Sequence, residues 1–123
     1  MTNGSPQQGD IWWVDFDDPD EPGDAERPYA RPAVVIQNNA RNRSDIGTVI
    51  VCTLTRNLNR ESDPGNVFLE AGDAGLRQPC VVNVSQVFTV NKQDLRDKIG
   101  TLGYIRVRQI IDGLRVLLEP RED

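Results

Sequence analysis

Residues 48–55 read TVIVCTLT, and this stretch decides the expected fold. Apolar side chains occupy both alternating sets of positions, which is typical of a strand covered on both faces. The segments GDIWWVDF (9–16) and RPAVVIQN (31–38) precede it and are rich in β-branched and aromatic residues. Pro32 stands at the start of its segment, where a strand tolerates the missing N–H. We therefore predict three strands, with 48–55 at the centre of a sheet.

The second half of the chain predicts further strands and then helices. NVFLEA (66–71) is typical of a short strand, and PCVVNVSQVFTVN (79–91) predicts two short strands or one bent strand. In NKQDLRDKIG (91–100), Asn91 can cap a short helix that runs to about Lys98 and stops at Gly100. Residues 104–119 carry apolar side chains at helical spacing, and Gly113 among them suggests a close contact. The prediction is a mainly β fold, a small antiparallel barrel or sheet with a C-terminal helix.

The length of 123 residues fits a single domain, 1–123, in which residues 1–8 form a flexible tail. The N-terminus has neither a basic start nor an apolar run, so we expect no signal peptide. The longest apolar run is too short to cross a bilayer, so we expect no membrane association. We therefore expect a cytoplasmic protein.

Charge is distributed unevenly along a chain whose net charge is -5. Residues 10–26 hold eight acids and no base. Most of these acids fall in residues 17–30, which we interpret as a long loop. Residues 27–61 hold six arginines against Asp45 and Glu61. Arginine is suited to bidentate recognition of phosphate, although an arginine-rich chain is equally compatible with a GC-rich genome. The net charge argues against nonspecific nucleic-acid binding, whereas a local basic groove stays possible.

The composition closes several chemical routes. The chain has no histidine, so any proton transfer must use carboxylates, hydroxyls, arginines or the substrate itself. The spacing of Cys52 and Cys80 matches no zinc motif, and no metal ligand set is predicted.

Four segments in this order resemble the MazF/PemK toxin family: GDIWWVDFD, RPAVVIQN, TVIVCTLT and VSQVFTVNKQDLRDKIGTL. The resemblance covers about residues 8–118. It implies an SH3-like barrel of the MazF/PemK/CcdB type with a short helix and a C-terminal helix, and a symmetric homodimer. It also implies metal-independent, cofactor-free cleavage of single-stranded RNA at short motifs, and inhibition by a cognate antitoxin protein.

The same resemblance implies the catalytic residues. The family's arginine falls on Arg31, its threonine on Thr55 and its loop glutamate on Glu26, although the loop sequence GDAERPY departs from the usual family pattern. In RNA cleavage through the 2′-OH, arginine can stabilise charge on the phosphorane, threonine can hold a phosphate oxygen, and glutamate can act as the base.

Further residues are candidate substrate contacts. Trp12 and Trp13 could stack bases, but adjacent strand residues face opposite sides, so at least one belongs to the core or a dimer interface. Each candidate also has a structural interpretation, for example a solvated arginine at the start of a strand. The candidate binding residues are Gln86, Arg41, Arg43, Arg56, Thr53 and Ser85.

Two other functions stay open. A toxin of the same fold could bind a protein target such as DNA gyrase without catalysis, although the C-terminal sequence LLEPRED lacks the tryptophan-containing apolar end that this function needs. An inert barrel could also bind RNA or a partner without cutting.

Overall fold

The computed structural model describes residues 5–16 and 30–122. The predicted acidic loop, 17–30, lies outside the described residues except for Ala30, and so does Glu26. The described residues form six strands: β1 (Asp10–Asp15), β2 (Ala30–Val35), β3 (Thr48–Thr55), β4 (Val67–Leu69), β5 (Cys80–Asn91) and β6 (Leu95–Thr101). They also form two α-helices, α1 (Asn39–Asn42) and α2 (Tyr104–Leu117). Turns of 3-10 helix occupy Leu58–Ser62, Asp73–Gly75 and Lys92–Asp94.

The strands form one antiparallel sheet in the order β4-β5-β3-β2-β1-β6. The sheet curls so that β6 packs on the turn that follows β4, where a side chain at Gly100 would overlap the carbonyl of Ala74. The predicted mainly β architecture with a C-terminal helix is confirmed, and β3 has the predicted central position.

Both faces of the sheet are covered by apolar packing, as the sequence of β3 predicts. Cys52 and Leu54 face the larger core, where Ile110 and Leu114 of α2 pack on the sheet. Val49 and Val51 face the opposite side, in a second buried cluster. Alternation along β3 therefore assigns each residue of this strand to one of two faces.

The segment 79–91 forms one strand, β5, which bends in its middle. Cys52 of β3 pairs with Val87, but Leu54 pairs with Val82, so residues 83–86 have only Thr53 opposite them. An excess of residues on one strand of a pair bends that strand. The first part of β5 also pairs with the edge strand β4, and the bend lies opposite Thr53 of β3.

The predicted helix at 91–98 was wrong. One 3-10 turn follows Asn91, whose side chain makes no capping hydrogen bond, and residues 95–101 form β6. The local sequence favours a helix weakly, whereas pairing with β1 supplies partners for the backbone of two strands at once. Tertiary pairing therefore overrides local propensity here.

A buried carboxylate fixes β1 to β6. Asp10 is 1% exposed and accepts hydrogen bonds from the Thr101 hydroxyl at 2.7 Å and the Gln7 N–H at 2.9 Å. The Lys98 ammonium lies 3.3 Å from the same carboxylate. These partners compensate the cost of burying the charge and tie the N-terminal strand into the sheet.

Helix α2 confirms the predicted C-terminal helix, and the middle of its apolar stripe packs on the sheet through Ile110 and Leu114. The ends of the stripe do not pack on the sheet: Tyr104 is 77% exposed and Leu118 is 72% exposed. In the described residues, no helix has the length and apolar character needed to cross a membrane.

Candidate active site

The start of β2 and the end of β3 lie side by side in the sheet. Ala33 pairs with Thr53, and continuing this antiparallel register by two residues places Arg31 opposite Thr55. Residues directly opposite in such a pair have Cβ atoms roughly 5 Å apart and point to the same face. The two residues that carry the predicted chemistry therefore lie at adjacent ends of two paired strands, although 24 positions of sequence separate them.

Arg31 is held in the sheet by the pairing of β2 with β1. It is half-buried in β2, and its backbone pairs with Val14 of β1. An arginine in a paired strand has less conformational freedom than one on a loop, because the neighbouring strand fixes its backbone. The position suits a side chain that must meet a phosphate in a fixed orientation.

Thr55 ends β3 and is half-buried. Its hydroxyl oxygen accepts a hydrogen bond from the N–H of Asn57 at 3.1 Å, so a local turn fixes the side chain. The hydroxyl proton is still available to donate, which allows a hydrogen bond to a phosphate oxygen.

Thr53 shares the face of Thr55 but is only 1% exposed. Its burial leaves no surface for contact with a substrate, which disagrees with its prediction as a binding residue. The physical reason is its place in the centre of the sheet, opposite the bend of β5. We assign Thr53 to the scaffold.

Ser85 and Gln86 lie in the bend of β5, beside the centre of β3. Ser85 is exposed and donates a hydrogen bond to the Asn83 side chain at 2.8 Å, whereas Gln86 is half-buried. The bend brings them to the strand that carries Thr55, so they stay candidates for substrate contacts.

Arg41 and Arg43 lie at the other end of the sheet. Both belong to the connection that follows β2, in α1 and at its C-cap, whereas Arg31 lies near the beginning of β2. A six-residue strand spans roughly 20 Å, so these arginines are a strand length away from Arg31. The structure does not bring them to the Arg31–Thr55 pair.

Arg56 follows Thr55 directly after the end of β3. It lines a cleft of about 510 Å³ that Trp13 and Arg77 also line. Sequence reasoning missed Arg77. The pairing of Thr55 with Val81 brings the residues just before β5 close to Arg56, and only that pairing could have revealed the proximity.

The two thiols are protonated and inert at neutral pH. Burial raises the pKa of Cys52 to about 12, and burial also raises the pKa of Cys80, although the nearby Arg56 charge partly opposes the shift. Since only a thiolate attacks or binds metal strongly, neither cysteine is a catalytic candidate.

Comparison with known proteins identifies the family. A family model described as PemK-like, MazF-like toxin of type II toxin–antitoxin system matches residues 7–118. The chain belongs to this toxin family. It is 37% identical over 112 residues to endoribonuclease MazF6 of Mycobacterium tuberculosis, covering 91% of this chain and 96% of the relative. It is 29% identical over 112 residues to endoribonuclease EndoA of Bacillus subtilis, covering 91% and 93%.

Solved structures of this toxin family have the same fold. An endoribonuclease in complex with its cognate antitoxin, from a mycobacterial species, superposes with a TM-score of 0.75 at 25% identity and covers 95% of this chain and 99% of that chain. MazF from Deinococcus radiodurans gives a TM-score of 0.71 at 21% identity, covering 96% and 100%. The family resemblance and the barrel-like fold predicted from the sequence are thus confirmed.

Proposed function

We propose that this toxin is an endoribonuclease that cleaves single-stranded RNA at short sequence motifs, without a metal ion. The juxtaposition of Arg31 and Thr55 on one face of the β2–β3 pair carries the proposal. The relatives described as endoribonucleases support it, since they match nearly the full length of the chain.

In the proposed reaction, the RNA supplies its own nucleophile. The 2′-oxygen attacks the adjacent phosphorus, its proton passes to a base, and the bond from phosphorus to the 5′-oxygen breaks as that oxygen takes up a proton. The products are a 2′,3′-cyclic phosphate and a 5′-OH end. Arg31 stabilises the additional negative charge on the phosphorane through paired N–H donors, and Thr55 donates to a non-bridging oxygen.

Glu26 is our candidate for the base. It lies outside the described residues, so its assignment depends on its spacing from Arg31 in the sequence, five residues before the arginine. Gln86 and Ser85 are proposed to contact the RNA beside the reacting phosphate, Arg56 to contact a nearby phosphate, and Arg41 and Arg43 to contact phosphates further along the strand.

We also propose that the toxin acts in the cytoplasm, as a homodimer, and that a cognate antitoxin protein inhibits it. The antitoxin complex of the mycobacterial endoribonuclease supports this partner. Exposed apolar side chains on α2, such as Ile105 (73% exposed) and Val116 (62% exposed), fit a surface that a second copy covers. Sedimentation equilibrium should give twice the chain mass of 13.8 kDa, and a concentration-independent single-chain mass would contradict the dimer.

The function is tested by incubating the purified protein with mixed-sequence single-stranded RNA in EDTA and mapping the ends of the products. We expect discrete cuts that carry 2′,3′-cyclic phosphate and 5′-OH ends. Arg31→Ala should lower the cleavage rate by a factor of about 10²–10³, since it removes the main stabilisation of the phosphorane.

Arg121→Ala is the matched control, because it removes an exposed arginine from the segment after α2. Cleavage that Arg31→Ala leaves unchanged would contradict the assigned site. RNA binding without cleavage by the wild-type protein would favour the inert barrel, and inhibition of gyrase supercoiling without RNA cleavage would favour the gyrase-binding alternative.

A further inference from the structure

The cleft beside Arg56 has the composition of a nucleotide site. We call it the basic cleft; its residues include Trp13, Pro32, Arg56, Arg77, Cys80 and Asp97. Its volume of about 510 Å³ is within the usual range of about 300–1,000 Å³ for small-molecule sites. It opens at the end of the sheet where Arg31 and Thr55 lie, but on the opposite face of the strands.

The two arginines of the cleft differ from most arginines of the second half of the chain. Arg60, Arg96 and Arg106 each form an ion pair with an aspartate, namely Asp63, Asp15 and Asp73. Within the described part of the chain, neither Arg56 nor Arg77 has an ion-pair partner. Guanidinium groups without a carboxylate partner are available to bind phosphate.

Two further charged residues line the cleft, Lys98 and Asp97. Lys98 also borders the cleft, but its ammonium is engaged 3.3 Å from the buried Asp10 carboxylate, so it adds little to the field inside. Asp97 also lines the cleft, from β6. The phosphate of a bound nucleotide is favoured beside Arg56 and Arg77, the two cleft arginines that have no ion-pair partner among the described residues.

An aromatic side chain completes the site. Trp13 lies in β1 opposite Pro32 of β2, and both line the cleft. Its neighbour Trp12 is 7% exposed on the other face, where its indole N–H donates to Asp10 at 3.4 Å. Trp13 is therefore the tryptophan whose ring can stack on a base.

We propose that the basic cleft binds one nucleotide of the RNA substrate next to the scissile position, with its phosphate on Arg56 and Arg77 and its base on Trp13. The inference rests on the proposed ribonuclease function and adds a specificity-determining site to it. Because Thr55 and Arg56 are consecutive, an RNA strand that passes the end of β3 can reach the active site on one face and the cleft on the other.

The test measures binding of a single-stranded 2′-O-methyl RNA, which lacks the nucleophile and stays intact. Trp13→Leu should weaken binding by roughly 5- to 150-fold and abolish the quenching of tryptophan fluorescence by RNA. Arg77→Ala should weaken binding at low salt and reduce the slope of log K against log salt by about 0.7, the value for one phosphate contact on a single strand.

Arg77→Lys and Arg121→Ala are the controls. Arg77→Lys should retain the salt slope because it keeps the charge, and Arg121→Ala should match the wild type because it removes an equal charge elsewhere. With cleavable RNA, Arg77→Ala should raise KM and leave kcat within about twofold, since the interaction is present in both the ground and transition states.

The cleft proposal would be overturned if Arg77→Ala and Trp13→Leu kept the affinity, salt slope and fluorescence quenching of the wild type, even if the wild-type protein cleaves RNA. Failure of the wild-type protein to cleave any RNA would overturn the ribonuclease function, while the binding measurements would still decide whether the cleft takes a nucleotide. If Trp13→Leu does not fold, the Arg77→Ala and Arg77→Lys pair decides the outcome, because Arg77 is exposed.

Discussion

The role of several residues is decided by which face of a strand they occupy. The sequence predicted that Trp12 and Trp13 point to opposite sides, and the structure shows that Trp12 is buried while Trp13 lines a cleft. Thr53 and Thr55 share one face, yet only Thr55 at the strand end is accessible. The sequence thus shows which residues of a strand share a face, but the burial of each residue depends on the elements that cover that face.

Cys52 gives a prediction about stability at high pH. Burial raises its pKa from 9.0 to about 12, so the folded protein keeps the thiol protonated while the unfolded chain loses the proton above about pH 9. The stabilisation is complete below pH 9 and is lost as the pH rises towards 12. Stability should therefore fall by up to roughly 1.4 kcal/mol per pH unit in this window through this group.

Urea unfolding of the wild type and of Cys52→Ala between about pH 8 and 11 measures this effect. Cys52→Ala lowers stability at every pH because it leaves a cavity, so the slopes are compared and not the absolute values. The variant should show the shallower fall, since the other titrating groups are common to both proteins. Parallel slopes would contradict the burial effect.

Strand β6 shows why one element could not be predicted from its own sequence. Its residues 95–101 contain Lys, Arg and Leu, which favour a helix locally, and the decisive partner is β1, more than 80 positions earlier. By contrast, α2 has the full helical period over four turns, and β3 has a run of β-branched and apolar residues that is typical of a central strand. Long periodic elements were predicted correctly, and a short element that depends on a distant partner was not.

Gly113 of α2 gives a prediction for the contact between this helix and the turn before β4. A β-carbon at position 113 would overlap the backbone carbonyl of Gly65, whose φ of +86° limits its ability to move. Gly113→Ala gains about 1 kcal/mol of helix propensity, but the overlap costs typically 1–3 kcal/mol or more. We expect a net decrease in the free energy of unfolding, measured by urea denaturation.

Gly47→Ala is the matched control, because no heavy atom lies within 4 Å of a β-carbon built at position 47. Its free energy of unfolding should change by less than about 0.5 kcal/mol or rise slightly. If Gly113→Ala were as stable as Gly47→Ala, the close approach of α2 to the Gly65 turn would be refuted.

At the scale of the whole molecule, the sheet order explains how much of the candidate site the sequence could reveal. Family spacing predicted Arg31 and Thr55 as site residues, and the pairing of β2 and β3 places them at adjacent strand ends. The sequence alone could not show which of Arg41 and Arg56 lies near these residues, because each of them follows an apolar strand. The structure places them at opposite ends of the same sheet, since β2 and β3 run antiparallel.

The distribution of charge over the whole chain leads to a final prediction about RNA binding. The segment 10–26 carries eight acids, and it ends five positions before Arg31 in the sequence. Carboxylates near the arginines lower the local positive potential and so slow the approach of RNA. Replacing four of these acids by their amides should raise the association rate with single-stranded RNA on the order of tenfold at low salt. The four residues are Asp17, Asp18, Asp20 and Glu21, which lie outside the described residues.

A second variant with the same change in net charge separates a local effect from a global one. It replaces four exposed glutamates by glutamine, at positions 61, 70, 119 and 122. Stopped-flow association should be faster for the loop variant than for this control at about 10 mM salt, where charges act over roughly 30 Å, and equal at about 1 M salt, where they act over roughly 3 Å. Equal rates for the two variants at low salt would mean that net charge alone slows RNA, and that the acidic segment has no special position relative to Arg31.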